Sequence, residues 1–450
     1  MPNDDDRPRL ELRGKRVVLL LQGGGALGGY QVGAHAALAQ ACRAAGTAIA
    51  WVGGISIGAI NAAVIAGPKS GDADAELRAL WDEILSPNFP PFDTSAVWDR
   101  LPPALRANPL AALVPKYANW AFSAFNPLGQ PNFFGSRVFN PLENPWVAQW
   151  SRPLNAGELA FYDTAPLRAT LDRHVDWAAF ERSGALRLSL GATRVRDGET
   201  VFFNSFASRN PQWPRIAPCA DHVLASAALP PAFPAIGVGT ELYWDGGLSS
   251  NTPIADLAED LTADATRDTI VFLVDLWDRK GSAPRSFDDV FWRQKSIAYG
   301  SRKDAAAAVL DTHELEVEAR RTAPARLEVC QLMLERPPGD TAPQFAYGDA
   351  DFSRSTHAAL ERLGLADMRA AIERPEVVRG VGGRYATLYR HGTYGKHSAT
   401  DGSFEARRAR KRATLRAPSI GGEISGDAYI SVGGAASTDG SSSGEVLAKS

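Results

Sequence analysis

Three short segments of this 450-residue chain could do chemistry, and each sets a reactive or anion-binding group beside glycine. The first is Gly54-Ile55-Ser56-Ile57-Gly58. A serine hydroxyl is a poor nucleophile until a base contacts it and its oxygen stands clear of other side chains. Glycines two before and two after let the backbone turn sharply from strand to helix without crowding the hydroxyl. A helix opening near Ala59 would aim its N-terminal dipole at developing negative charge. In a chain with 41 glycines the motif arises easily by chance. Its weight comes from the short apolar stretch before it and the small-residue helix after it.

The second segment, Gly23-Gly24-Gly25-Ala26-Leu27-Gly28, has G-x-G-x-x-G spacing after a strand-like run. A dinucleotide fold with that spacing places an acidic residue about twenty positions on to hold the ribose. No Asp or Glu occurs between Leu12 and Gly71, and no Gly-Lys-Ser/Thr follows, so neither a dinucleotide nor a P-loop nucleotide is expected. Bare N–H groups at a helix start are then left for anion stabilisation. Beside a serine nucleophile that anion is the tetrahedral oxyanion of acyl transfer. The third segment is Asp245-Gly246-Gly247, closing a strand-like run. An Asp before two glycines is commonly a turn residue. The same carboxylate could accept the serine proton if it bonded Ser56 directly, with its pKa tuned by burial.

The elements that must position these segments alternate between strand and helix. KRVVLLL, the turn QGGGALGGYQ and VGAHAALAQACRAAG form one unit; Ile49–Gly53, the GISIG turn and AINAAVIAG form the next. Asp72–Leu85 reads as a helix, and Leu186–Thr193 with Glu199–Asn204 as a hairpin. HVLASAALPPAFPAI reads as a helix stopped by Pro230 and Pro231, ELYWDGG as a strand, and TIVFLVDLW as the last strand of the core. Farther on, Val290–Arg321 is a long helical pattern, Arg326–Leu334 an extra strand and Ser353–Glu373 a helix. The pattern predicts an α/β fold with a mainly parallel sheet covered on both faces.

The expected organisation is a polar, disordered leader (1–14) and a core (15–277) carrying a Pro- and aromatic-rich insertion (86–155). A mostly helical extension (278–395) and a tail (396–450) follow; the tail is basic, then Gly/Ser-rich, and is expected to be disordered. The insertion suits a lid or binding surface, or its aromatics simply pack on the sheet edge.

Composition bounds the function. With 45% hydrophobic and 22% charged residues the chain can bury a sizeable core. A net charge of −3 excludes a polyanion as main partner, so no nucleic acid is expected. Cys42, Cys219 and Cys330 lie far apart and odd in number, which suggests neither a disulfide framework nor a zinc site. No EF-hand loop occurs either, so neither a metal nor a cofactor is expected. The N-terminus is acidic and polar, and no run approaches the ~18 apolar residues of a spanning helix. The expectation is a cytoplasmic protein whose membrane contact is peripheral. Nothing indicates an oligomeric state.

In order along the chain, QGGGALGGYQ, GISIGAINAA and DGGLSSNTP resemble the patatin-like phospholipases, over roughly Lys15 to Leu276. The resemblance implies a three-layer α/β/α fold, a lipid or ester substrate, and a Ser–Asp dyad without a catalytic histidine. It implies Ser56 as nucleophile, Asp245 as general base, and Gly23, Gly24 and Gly25 as the oxyanion hole. Gly28, Gly54, Gly58, Gly246 and Gly247 match motif glycines, ASAALPPAFP matches the stretch ahead of the aspartate, and Asn251 and Pro253 match residues after it. The C-terminal third resembles an extension of a bacterial subgroup. One departure stands out: Leu27 occupies a position where many members carry Arg or Lys. That removes a cation for an anionic head group and leaves the backbone hole intact.

Two alternatives are open at this point. In an α/β-hydrolase with a Ser-acid-His triad, several strands precede the nucleophile, whereas one clear strand precedes the segment leading to Ser56 here. Its histidine would be His313, His357, His391 or His397, none beside an obvious catalytic loop; His35 reads as packing. The other alternative is a lipid-binding or scaffolding module without turnover, against which stands the presence of both Ser56 and Asp245.

Overall fold

Strand β1 (Arg16–Leu21) is buried at all six positions and has parallel neighbours on both edges, as in a sheet covered on both faces. Such a strand reads as an unbroken apolar run, with no alternation. The computed structural model describes residues 9–86, 102, 129–182, 184–262, 267–279, 281, 283–300, 305–320, 325–335 and 348–391. The strands that follow are β2 (Ile49–Ile55), β3 (Gly129–Gln130), β4 (Phe134–Ser136), β5 (Tyr162–Asp163), β6 (Arg187–Arg194) and β7 (Thr200–Asn204). Next come β8 (Ile236–Val238), β9 (Glu241–Asp245), β10 (Thr269–Asp275), β11 (Leu327–Met333), β12 (Val377–Gly382) and β13 (Ala386–His391).

Ten of these strands form one mixed sheet in the order β12-β13-β11-β10-β1-β2-β6-β9-β8, with β7 paired to β6. The stretch from β13 to β6 is parallel throughout, and β12, β7, β9 and β8 are antiparallel to their neighbours. Helices flank it: α1 (Gly29–Ala44), α2 (Ile57–Ala66), α3 (Ala73–Ile84), α4 (Ala165–His174), α5 (Ala220–Ser226), α6 (Phe287–Tyr299), α7 (Ala305–Arg320) and α8 (Arg354–Glu373). The start of α3 is set by Asp72, whose carboxylate accepts from the N–H groups of Asp74 and Ala75. This is the α/β arrangement expected, with helices on a mainly parallel sheet.

Several expectations need correction. TIVFLVDLW is not the last strand of the core: as β10 it lies inside the sheet, and β11, β13 and β12 from the extension continue it outward. Parallel strands buried on both faces look alike in sequence, so chain order does not reveal spatial order. The extension is still mostly helical, but it belongs to the same compact unit, residues 1–406. Its helical pattern over Val290–Arg321 is two helices, because Gly300 leaves helical geometry at ψ 141° after α6.

Residues 9–14 of the expected disordered leader pack on the fold. Leu10 and Leu12 are buried, and the Leu10 N–H bonds the Ile372 carbonyl at 2.9 Å. Two leucines without helical periodicity gave no packing signal. Residues 1–8 and the tail from 392, which includes the second unit 407–450, lie outside the described residues. So do 87–101 and 103–128 of the insertion. In its described part the aromatics divide: Phe133 packs on Phe352 (5.2 Å) and Phe134 on Phe233 (5.4 Å), whereas Phe139, Trp146 and Trp150 are exposed. Strands β3, β4 and β5 form a small antiparallel sheet there. Among the described residues no helix is long and apolar enough to cross a membrane.

Candidate active site

Strand β6 works as a splint that brings two chain ends together. On one edge it pairs parallel with β2, up to Ile55 opposite Gly191. The next residue along that edge, Ala192, pairs with Asp245 at the end of antiparallel β9, while β7 occupies the other edge. The chain leaving β2 at Ser56 therefore meets β9 at its last residue. Gly246 and Gly191 allow the junction, since a Cβ at Gly246 would lie 2.4 Å from the Gly191 carbonyl oxygen.

Ser56 sits on the turn between β2 and α2 with φ 56° and ψ −124°, a conformation that a side chain seldom adopts. Such strain persists only where the surroundings hold it. The Ser56 N–H donates to Ser226 Oγ at 3.1 Å, and that hydroxyl donates to the Gly191 carbonyl at 2.5 Å. The glycine spacing also has a steric cause. A Cβ on Gly54 would lie 2.1 Å from the Gly58 carbonyl oxygen, so residues two either side of the serine touch backbone to backbone. In the run from Trp51 to Ile65, Ser56 alone is not fully buried. A strained turn thus holds the one partly exposed side chain of this buried run.

The Asp245 carboxyl is buried, lies beside the Ser56 hydroxyl, and accepts a hydrogen bond at 2.7 Å from the Gly247 N–H. Burial away from water raises its pKa from 3.8 to about 6, against the opposing pull of the Ser56 hydroxyl and the Gly247 N–H. Its backbone is held as well: the Asp245 N–H donates to Ala228 O (2.9 Å), and Thr193 Oγ1 donates to its carbonyl (2.9 Å). The segment ASAALPPAFP therefore contributes Ser226 to the serine turn and Ala228 to the aspartate strand.

The glycine loop lies against the same serine. A Cβ on Gly23 would fall 2.9 Å from Ser56 Cβ and 2.5 Å from Asn251 Oδ1. Gly25 has φ 56°, the left-handed region that favours glycine. Behind the loop, Gln31 donates to the Gln22 carbonyl (2.7 Å), Asn61 to Gln31 (2.9 Å) and Trp81 to Asn61 (2.9 Å), a buried relay tying loop, α1, α2 and α3 together. Gly28 packs on Ile57 just after the serine. Leu27 is buried, so no cation stands at that position.

All ten glycine, serine and aspartate residues singled out in the sequence thus converge at the β6 junction or on the turns that shape it. Residue types gave no notice of Trp277, whose indole donates to Gly23 O at 2.8 Å, or of the Tyr299 carbonyl that Gln22 and Asn251 bond. Nor did they mark Ser226. A backbone carbonyl carries no residue-type signal at all.

The histidines are engaged elsewhere. His35 faces Asp74, His174 bridges Glu76 and Glu83, and His222 accepts from the Cys219 N–H. His313 bonds the Ala325 carbonyl, His357 stacks on Trp81, and His391 lies 3.6 Å from Asp367. His397 is outside the described residues. Among the described residues no group of three or more His, Cys, Asp or Glu could hold a metal ion.

A family model described as patatin-like phospholipase matches residues 19–258, more than half of the chain. Among curated proteins none matches. Among solved structures, VipD from Legionella pneumophila is similar at 14% identity and a TM-score of 0.28, over 80% of this chain and 69% of that one. The ExoU–SpcU complex of the Pseudomonas aeruginosa type III secretion system is similar at 17% identity and a TM-score of 0.27. That match covers 69% of this chain and 59% of the other, less than two thirds of its length.

Proposed function

The chain belongs to the patatin-like phospholipase family and is a lipid acyl hydrolase; on that premise we propose a Ser56–Asp245 dyad as its catalytic machinery. The observation that carries this reading is the buried Asp245 carboxyl lying beside Ser56, the one partly exposed residue of the β2–α2 turn. With a pKa of about 6 the carboxylate is ionised at neutral pH yet basic enough to take a proton in the transition state.

In the acylation step, Ser56 Oγ attacks the acyl carbonyl carbon and its proton passes to Asp245. Negative charge on the former carbonyl oxygen is met by N–H groups of the Gly23–Gly25 loop and by the N-terminal dipole of α2. Collapse of the tetrahedral species breaks the ester bond, and the leaving alkoxide takes the proton from Asp245. Water then attacks the acyl-serine with Asp245 again as base, which releases the fatty acid and restores Ser56. No histidine is needed, and the engagement of all six described histidines with other groups supports the dyad over a triad.

Lipid contact in this reading is peripheral. Phe139, Leu142, Trp146, Val147 and Trp150 are exposed along one short stretch, and tryptophan side chains favour the boundary between water and lipid. One experiment covers both points: hydrolysis of soluble p-nitrophenyl esters and of phosphatidylcholine vesicles by the full chain and two variants. The parent should cleave both, and Ser56→Ala neither. A Trp146→Ala/Trp150→Ala double variant should keep the soluble activity and lose several-fold on vesicles. Turnover by Ser56→Ala at the parent rate would overturn the dyad. An equal loss on both substrates in the tryptophan variant would remove the lipid-contact role.

A further inference from the structure

The family match ends at residue 258, yet the glycine loop beside Ser56 is held by residues beyond it. Two donors converge on the Gly23 carbonyl: the Trp277 indole N–H at 2.8 Å and Asn251 Nδ2 at 3.1 Å. The peptide that follows is trans, so the Gly24 N–H points opposite to that carbonyl, away from both donors. Fixing the carbonyl therefore fixes the direction of the Gly24 N–H. A neutral indole suits the task, since it can only donate and cannot compete with the loop as an acceptor.

Trp277 is itself set by the extension. It is buried against Trp292 (ring centroids 5.1 Å apart) and Tyr299 (5.7 Å), both on α6. The Tyr299 carbonyl accepts from Asn251 Nδ2 (2.9 Å), so the same helix end orients the second donor too. On the far side of the loop, the Asp349 carbonyl is so close to Gly25 that a Cβ there would lie 2.2 Å from it, and Lys295 of α6 holds the Asp349 carboxylate at 2.7 Å. The loop is thus gripped from two sides by elements outside the matched domain.

We propose that Trp277 is a positioning residue for catalysis, which aims the Gly24 N–H at the oxyanion by clamping the Gly23 carbonyl, with α6 of the extension as the support that sets the clamp. This inference rests on the reading of the Gly23–Gly25 loop as the oxyanion hole.

The test is Trp277→Phe in the full chain, which keeps an aromatic ring against Trp292 and Tyr299 and removes the N–H. Steady-state hydrolysis of a soluble p-nitrophenyl ester is compared with that of the parent and of Ser56→Ala. A misaimed donor acts on the transition state, so kcat should fall roughly tenfold to a hundredfold while KM stays within about twofold. The pH midpoint of activity should not move, because Asp245 is untouched. Trp292→Leu, which leaves the indole donor but loosens its support, should show a smaller fall in kcat of the same kind. Unchanged kcat in both variants, or a rise in KM that accounts for the whole loss, would overturn the positioning role. Should Trp277→Phe fail to fold, an unchanged kcat in Trp292→Leu overturns it alone. Failure of the underlying reading looks different: a folded Gly23→Ala protein would then keep kcat within a few-fold of the parent, whatever the tryptophan variants do.

Discussion

Asp245→Asn should lose about 10²–10⁴-fold in ester hydrolysis, the usual worth of a general base, and at the same time become more stable at alkaline pH. The first half follows from chemistry: an amide can accept the Ser56 hydrogen bond but cannot take the proton. The second half follows from burial. A carboxyl with a folded pKa of about 6, against 3.8 when solvated, binds its proton more tightly in the native state. Native stability therefore falls as pH rises from about 4 to about 6, and the deficit persists above that range. A difference of about two pKa units corresponds to roughly 3 kcal/mol. The amide does not ionise, and its oxygen still accepts from the Gly247 N–H, so the variant escapes the deficit.

Urea unfolding at pH 8 and pH 4 measures this directly. The variant should exceed the parent at pH 8, and the advantage should disappear near pH 4, where the parent carboxyl is protonated. In the parent, kcat/KM should rise through an apparent pKa of about 6. Equal stability of the two proteins at both pH values would mean that Asp245 is not a desolvated carboxylate in the native state.

Gly23→Ala should lower kcat by about 10²–10³-fold, the cost of removing an oxyanion-hole donor. The new methyl group would lie 2.5 Å from Asn251 Oδ1, 2.9 Å from Ser56 Cβ and 3.1 Å from the Ile55 carbonyl oxygen. None of these is the loose end of a long side chain, and one belongs to the nucleophile. The loop must retreat and take its N–H groups with it. Gly135→Ala is the control: a Cβ there meets nothing within 4 Å, so activity should be unchanged. Steady-state kinetics with a soluble ester, alongside thermal unfolding of both variants, separates a lost donor from a lost fold. A folded Gly23→Ala protein with kcat within a few-fold of the parent would remove the loop from the mechanism.

What was legible in the sequence is what is local. The G-x-S-x-G turn could be recognised because Gly54 and Gly58 touch each other within one turn, and the glycine loop because it lies between a strand and a helix that follow each other directly. Asp245 could be singled out as a carboxylate at a strand end, but its closeness to Ser56 could not be derived from spacing. That depends on β6, whose residues Gly191 and Ala192 pair with Ile55 and Asp245 in succession. Register of this kind is set by burial on both faces and has no mark of its own in a run such as RLSLGATR.

The contributions of the C-terminal third were hidden for related reasons. Strand β11 looks in sequence like any buried strand, so its place beside β10 was not readable. Trp277 closes an apolar run and could pass for core, which in part it is, since its ring is buried while its N–H serves the loop. Leu10 and Leu12 illustrate the converse. A short polar-looking leader packs two leucines and bonds Ile372, a partner more than 350 positions away that local pattern cannot reveal.

Mass-spectrometric mapping of a fluorophosphonate adduct on this chain and its variants tests the Ser56–Asp245 dyad most directly. A single adduct should form on Ser56 in the parent, vanish in Ser56→Ala, and form far more slowly in Asp245→Asn. Alanine at any one of His313, His357, His391 or His397 should leave the labelling rate near that of the parent. An adduct that forms at the parent rate in Asp245→Asn but is lost on replacing one of those histidines would contradict the dyad.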